Sequence, residues 1–377
     1  MPVELKRIGK KRPTSELETT IIRTGMMASS KHSLAVLDDY ANTLAPKLSH
    51  LSSRLDISYF PDTLNAKTPH GRAALIERLQ PFSIISSMRE RTGFPTEVIR
   101  ALPNLKLLLT TGTRNAAIDL PACAERGIVI AGTGVVTKKS GGAIDPTIEH
   151  IWAMILALAK NVVRDDISVK IGGWQSGLNS GLFSKTISLL GLGRLGGQTG
   201  KIAKLAFGME VVAWSNNLTQ EKADEKAVQM GLPKGSFKVT SSKDELFRVA
   251  DILSVHYVLS DRSRGIVGER ELALMKKTAL LVNSSRGPLI DQDALQKTLN
   301  NGKIRGAALD VFEIEPLPLD DPWRTTEWGK DGRSEVLLTP HTGYVEEETI
   351  NNWYDQVVEN IELWLDGKEL NTKFALS

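Results

Sequence analysis

Thr186-Ile-Ser-Leu-Leu-Gly191-Leu-Gly193-Arg194-Leu195-Gly196 is the stretch on which the reading of this chain turns. A short run without charge gives way to three glycines in a GxGxxG spacing. A helix is predicted directly after it, over 197–205, and a second strand over 210–214. The glycines alone are a weak signal, but between a strand and a helix they have the setting of a dinucleotide-binding turn. Gly191 permits the tight turn, Gly193 lets the backbone approach a pyrophosphate, and Gly196 allows close helix packing. The free amides at the helix start then face the phosphates, with Arg194 and Leu195 in the same turn.

Alternation of strand and helix continues in both directions from this point. Upstream, short apolar runs stand at 33–39, 57–60, 84–88, 105–111 and 127–131, with helical segments over 71–79 and 95–102. Downstream, strands are predicted at 252–257, 279–283, 304–312 and 336–338, with a capping box at Ser242-Lys-Asp-Glu245. Such alternation predicts parallel βαβ units. Between the two series, Ile148, Ile151, Trp152, Ile155, Leu156 and Ala159 fall on one helical face beginning near Pro146. The glycine-rich stretch 132–142 before that helix is read as a hinge. The organisation expected is a basic, flexible arm over 1–30, a substrate domain over 31–142 and 344–377, and a dinucleotide-binding domain over 143–343. The fold class is α/β: a Rossmann doubly wound domain plus a flavodoxin-like domain completed by the C-terminal helix.

Composition narrows the function. At 377 residues with 41% apolar content the chain can bury two cores, and a net charge of +3 gives no reason to expect nucleic acid as partner. The longest apolar run, 151–159, is too short to cross a membrane. A single cysteine, Cys123, excludes an internal disulfide and fits a reducing, cytoplasmic compartment; it is read as packing. The arm carries Lys6, Arg7, Lys10, Lys11, Arg12 and Arg23, but Glu4, Glu16 and Glu18 argue against a mitochondrial leader. No metal-ligand spacing appears among the six histidines.

The cofactor's identity stays open between NAD(H) and NADP(H). The second strand of a dinucleotide fold usually ends in an acidic residue that binds the ribose 2′-hydroxyl. Here it ends Trp214-Ser215-Asn216-Asn217, without a carboxylate, so a 2′-phosphate is tolerated; Lys222 is the nearest cation to grip it.

Three further residues follow predicted strands, where ligands bind in open α/β sheets. Arg286 lies in Leu281-Val-Asn-Ser-Ser-Arg-Gly-Pro288, Glu315 in Ala308-Leu-Asp-Val-Phe-Glu-Ile-Glu-Pro316, and His341 in Leu338-Thr-Pro-His-Thr-Gly-Tyr344. Reduction of a 2-keto acid needs a cation for the carboxylate and a proton for the developing alkoxide, and these residues offer both. The segments resemble those of the D-isomer-specific 2-hydroxyacid dehydrogenase family, over nearly everything from Leu34 to Leu370. The resemblance implies that Arg286 binds substrate carboxylate and carbonyl, that Glu315 pairs with His341, and that His341 gives or takes the proton. It implies cofactor contacts at Ser284, Ser285, Asp310 and Gly343, and at His256 and Tyr257 in Ser254-Val-His-Tyr-Val-Leu259. Ser215 and Asn216 are read as the adenosine-side contacts.

In the first half, Leu107-Leu-Leu-Thr-Thr-Gly-Thr-Arg-Asn-Ala-Ala-Ile-Asp119 resembles the family's substrate loop, implying Thr113 and Arg114 as substrate contacts. Arg114 replaces a glycine common there; it either meets a second anionic group or pairs with Asp119. Ser87-Met-Arg-Glu-Arg-Thr92 adds cations at the same cleft. The stretch 321–335, with Trp323 and Trp328, either caps the site or lies at a subunit contact. The partners expected are a small 2-keto or 2-hydroxy acid and a second copy of the chain, as in a homodimer. The rival function is a dinucleotide-sensing corepressor, which can keep the same three residues without metabolic turnover.

Overall fold

The computed structural model describes residues 31–134, 145–175, 177–372 and 374. The 1–30 arm and most of the 132–142 hinge therefore lie outside the described residues. Among the described residues, twelve strands form two sheets, every pairing parallel.

The first sheet comprises β1 (His32–Leu37), β2 (Leu55–Phe60), β3 (Ile84–Ser87), β4 (Leu107–Thr110) and β5 (Val129–Ala131), in the order β2-β1-β3-β4-β5. That is the flavodoxin-like order. Strands β3 and β4 are buried throughout, which is why they read as unbroken apolar runs rather than alternating ones. One face of this sheet is covered by the last helix, Glu347–Leu365, whose Ile350, Trp353, Tyr354, Val357 and Ile361 pack on Leu34, Val36, Ile84 and Leu107. Each such side chain contributes roughly 1.5–3 kcal/mol on burial, which ties the chain's end to its beginning.

The second sheet comprises β6 (Thr186–Leu190), β7 (Glu210–Trp214), β8 (Lys238–Val239), β9 (Ile252–Val255), β10 (Leu280–Asn283), β11 (Gly306–Leu309) and β12 (Glu335–Leu338). Its order, β12-β11-β10-β9-β6-β7-β8, reverses at β6: β7 and β8 are added on one side, then the chain returns to place β9 to β12 on the other. This is the Rossmann arrangement, with its switch point beside β6. Helix Pro146–Ala159 lies across it, burying Ile148, Ile151, Trp152, Ile155 and Ala159 as the periodicity requires. Met154 and Leu158 are buried as well, while Leu156 is only partly so.

Three local readings need correction. The helix after the glycine turn spans Arg194–Phe207 and begins three residues before the predicted Gly197, because glycines are accommodated in a first turn held by Gly193. The two-residue β8 is too short to leave a periodic signature. Ser242 caps helix Lys243–Val249 by accepting from Glu245 N, but the returning Glu245 carboxylate takes Ser241 N at 2.6 Å instead of the cap's own amide. The box is displaced by one residue.

Candidate active site

The glycine turn is shaped by close contacts. Gly191 has φ +101°, and a Cβ there would lie 2.7 Å from the His256 carbonyl oxygen. A Cβ on Gly196 would lie 2.2 Å from the Gly191 carbonyl oxygen, and one on Gly200 would meet Leu189, Val211 and Phe237 near 3 Å. Gly200 was not marked by the motif; it keeps the helix close to the sheet. Gly193, by contrast, would meet nothing within 4 Å. The open space sits at the start of helix Arg194–Phe207, whose first turn carries no side-chain cap. Uncapped amides beside open room fit a pyrophosphate, so this turn can hold a dinucleotide. Arg194 itself makes an ion pair with Asp145 at the head of helix Pro146–Ala159.

Ser215 and Asn216 follow β7, the first half-buried and the second exposed. Asn216 N is 3.4 Å from the Tyr257 hydroxyl, and Trp214 stacks on Tyr257. Lys222 donates to the Asn217 carbonyl at 3.0 Å, so it is turned onto its own loop. His256 shares a hydrogen bond of 2.9 Å with Ser254 through Nε2. Desolvation lowers its pKa to about 4, which keeps the ring neutral and unsuited to giving a proton near neutrality.

Across the sheet, Asp310 organises the segment that carries His341. Its buried carboxylate accepts from Thr339 Oγ1 at 2.6 Å, Thr342 N at 2.8 Å and Gly343 N at 3.0 Å, with His150 Nε2 at 3.2 Å. Its main-chain carbonyl takes His341 N at 2.8 Å. Burial would raise the Asp310 pKa, but the hydrogen bonds from His150, Thr339 and Thr342 outweigh it and leave the value lowered. A group depressed on folding stabilises above its unfolded value of 3.8 and loses that contribution as pH falls through the folded one. Asp310→Asn is therefore expected to melt well below the parent at neutral pH, with the gap closing in strong acid. Parallel thermal melts at the two pH values check this; a gap independent of pH would sink it.

His341 sits in the left-handed region, φ +55°, which His tolerates better than most residues. Its Nδ1 lies 2.6 Å from Glu315 Oε2, and Glu315 Oε1 accepts from Phe312 N at 2.8 Å. The imidazole is thus held from behind, and its Nε2 is the ring nitrogen left for a ligand. The ring lines a cavity of about 320 Å³ between the two sheets. Arg89, Glu90 and Arg91 from the end of β3 form one wall; Phe312, Leu317, Arg324, Leu338 and Tyr344 form much of the other.

Arg286 stands in the turn after β10, which the buried Asn283 braces by donating to the Arg286 carbonyl and accepting from Ser285 N. Ser284 and Ser285 are half-buried in that turn. The guanidinium donates to the Ser285 carbonyl at 2.8 Å and reaches Glu90 Oε1 at 3.3 Å. Thr113 and Arg114 are exposed beyond β4 and do not line the cavity. The alternative pairing of Arg114 with Asp119 is not formed, since Asp119 caps helix Leu120–Glu125 and accepts from Thr96. The 321–335 stretch packs into the second core: Trp323 is buried with Nε1 on Gln292, and Trp328 Nε1 donates to the Trp323 carbonyl. Only Arg324 of that stretch reaches the cavity. Asn283, Glu90, Tyr344 and Arg324 stand within stretches that the sequence singles out, but nothing in single-residue patterning gives them a role of their own. Burial pushes the Cys123 thiol up to about 12, in keeping with a packing role.

A family model described as D-isomer specific 2-hydroxyacid dehydrogenase, NAD binding domain, matches residues 152–343. The chain belongs to the D-2-hydroxyacid dehydrogenase family. It is 32% identical over 330 residues to a glyoxylate reductase of Aeropyrum pernix, covering 82% of this chain and 91% of that one. It is 34% identical over 296 residues to a D-3-phosphoglycerate dehydrogenase of Methanocaldococcus jannaschii, covering 78% of this chain but 52% of that longer protein. The structure of a phosphoglycerate oxidoreductase from Vibrio cholerae superposes with a TM-score of 0.75 at 30% identity, covering 89% of this chain and 99% of that one. As a D-2-hydroxyacid dehydrogenase, the protein is an oxidoreductase using a nicotinamide dinucleotide. Among the described residues, no helix is long and apolar enough to cross a membrane, and no cluster of metal-ligating side chains occurs.

Proposed function

We propose that the protein reduces a small 2-keto acid to the D-2-hydroxy acid, reversibly, with His341 as the proton carrier. The observation that carries this reading is the Glu315–His341 pair at 2.6 Å, which leaves Nε2 unengaged on a ring that lines the cavity between the sheets. The dinucleotide, when bound at the Gly191–Gly196 turn, supplies the hydride. Arg286 holds the substrate's carboxylate and carbonyl oxygen in place, and its charge favours the developing alkoxide. His341 delivers its proton to that oxygen from Nε2, while Glu315 holds the ring and balances the imidazolium. In the reverse direction the neutral imidazole removes the proton. Asp310 and Gly343 fix the turn around His341 and, with Ser284, Ser285, His256 and Tyr257, stand on the nicotinamide side. Closure of the two units over the cavity excludes water, and Thr113 and Arg114, outside the cavity lining here, are the substrate contacts proposed for that closed form. The domain limits proposed remain 31–142 with 344–377, and 143–343.

The absence of a carboxylate after β7 supports acceptance of NADP(H) beside NAD(H), with Ser215 and Asn216 as the ribose-side contacts. The lone buried Cys123 supports a cytoplasmic location. A homodimer is supported by a helix, Val162–Lys170, none of whose residues is buried. In the segment after it Ile171, Trp174, Leu178 and Phe183 are each 75% exposed or more, apolar surface that a second copy of the chain would cover. Sedimentation at twice the monomer mass is the expected result; a monomer at micromolar concentration would dismiss this element.

The activity is tested by mixing the protein with NADPH or NADH and a panel of 2-keto acids, following reduced-nicotinamide absorbance. Turnover that Arg286→Ala abolishes supports the reading, and the better cofactor answers the Ser215 question. No turnover across the panel, with dinucleotide still bound, would move the reading to a sensing role.

A further inference from the structure

The end of β3 delivers a carboxylate into a place where the proposed reaction needs a vacant cation. Arg89 has φ +50°, and its amide is held by Thr111 Oγ1 at 3.1 Å, so the chain turns Glu90 inward. Glu90 Oε1 reaches the Arg286 guanidinium at 3.3 Å. Its Oε2 lies 3.4 Å from Arg89 Nε, yet both of these buried atoms lack a hydrogen-bond partner. Arg89 is drawn away from Glu90 by the Tyr344 and Trp353 rings, 5.4 and 5.8 Å from its guanidinium carbon. A good charge-assisted hydrogen bond spans about 2.7–2.9 Å, so both contacts of Glu90 are long. Both are ion pairs, but only the one to Arg286 is hydrogen-bonded, and it stands at the long end of the range. The pair also bridges the cleft, since Glu90 follows the first sheet and Arg286 the second.

We infer that Glu90 is an internal competitor for the substrate's carboxylate, occupying Arg286 until a keto acid displaces it. This rests on the role given to Arg286 above. Two carboxylates cannot both sit on one guanidinium edge without repulsion, so binding of the α-carboxylate includes release of Glu90 to the cleft wall. There Arg89 can take it over, completing the unpartnered Nε. Because the competition concerns only the carboxylate common to all 2-keto acids, it acts on all of them alike, whatever their side chain. Glu90 is thus a positioning residue that acts through Arg286, and it sets how much substrate is needed to fill the site.

Glu90→Gln keeps the volume and removes the charge. A partly exposed ion pair is worth up to about 1 kcal/mol, which converts to about fivefold. The expected result is a fall of about fivefold in KM for glyoxylate, pyruvate and 4-methyl-2-oxopentanoate, by the same factor for each. The change should appear in KM and not as a matching rise in kcat. Oxamate, an unreactive pyruvate analogue, should bind about fivefold tighter to the variant by calorimetry, with NADPH present throughout. A KM or an oxamate affinity that is unchanged or worse in Glu90→Gln would overturn the inference, showing that Glu90 holds Arg286 in its working pose. A gain that varies with side-chain size would overturn it too, as the mark of altered packing. Should the parent protein turn over no keto acid, the proposed reaction fails, while the oxamate comparison still decides the role of Glu90. If neither protein binds oxamate, the inference falls.

Discussion

His341→Asn is expected to lower kcat/KM for 2-keto acid reduction by about a hundred- to ten-thousand-fold, the range for removing a general acid. Asparagine suits the test because it tolerates the left-handed backbone that His341 occupies, so the fold of the 339–343 turn survives. The amide bond from residue 341 to the Asp310 carbonyl, at 2.8 Å, is likewise independent of the side chain. What disappears is the only imidazole lining the cavity between the sheets. His150 cannot replace it, being engaged with Thr339 and Asp310, and His256 is held neutral by desolvation. Steady-state kinetics of reduction would check this, with dinucleotide affinity read by fluorescence as a control. A variant within tenfold of the parent would remove His341 from the chemistry.

Gly287→Ala is expected to have the second-largest effect, through shape alone. A Cβ at this position would lie 2.1 Å from the Phe312 carbonyl carbon and oxygen and 2.6 Å from Glu313 N. Those are backbone atoms of the loop that carries Glu315, and Gly287 adjoins Arg286. The two loops must therefore separate, moving the residue behind His341 away from the residue proposed to hold the carboxylate. Overpacking of this kind costs about 1–3 kcal/mol, and displacement of Glu315 should lower kcat by more than about tenfold. Gly181→Ala is the comparison: a Cβ there would meet nothing within 4 Å, and both changes restrict the unfolded chain equally. Thermal melts and keto-acid turnover of the two variants provide the measurement. Equal melting and equal turnover would show that the 287–312 contact relaxes without consequence.

The sequence was most legible where a physical rule fixes the residue type locally. The buried parallel strands could be found because both faces are covered, so each reads as a continuous apolar run. Their ends drifted by one to three residues, as at β11, where apolar character runs on through Val311 and Phe312 after the pairing with β10 and β12 has ended at Leu309. The glycine turn was legible because only a missing Cβ can satisfy contacts of 2.2 and 2.7 Å. Arg286, Glu315 and His341 were legible because each stands just after a strand within a long motif. The same reasoning placed Thr113 and Arg114 at the substrate, whereas the structure leaves both exposed and turns Arg89, Glu90 and Arg91 inward.

By itself, then, the sequence determined the two α/β sheets, the dinucleotide turn and the three residues proposed for the chemistry. Those properties depend on residue type and on short spacing along the chain. Tertiary structure alone decided that Asp310 is saturated by the turn it organises, that the 321–335 stretch joins the second core, and that Glu90 meets Arg286. These depend on contacts between segments far apart in sequence: Glu90 and Arg286 are 196 residues apart. No local rule links such positions, because what joins them is the facing of one sheet's strand ends toward another's.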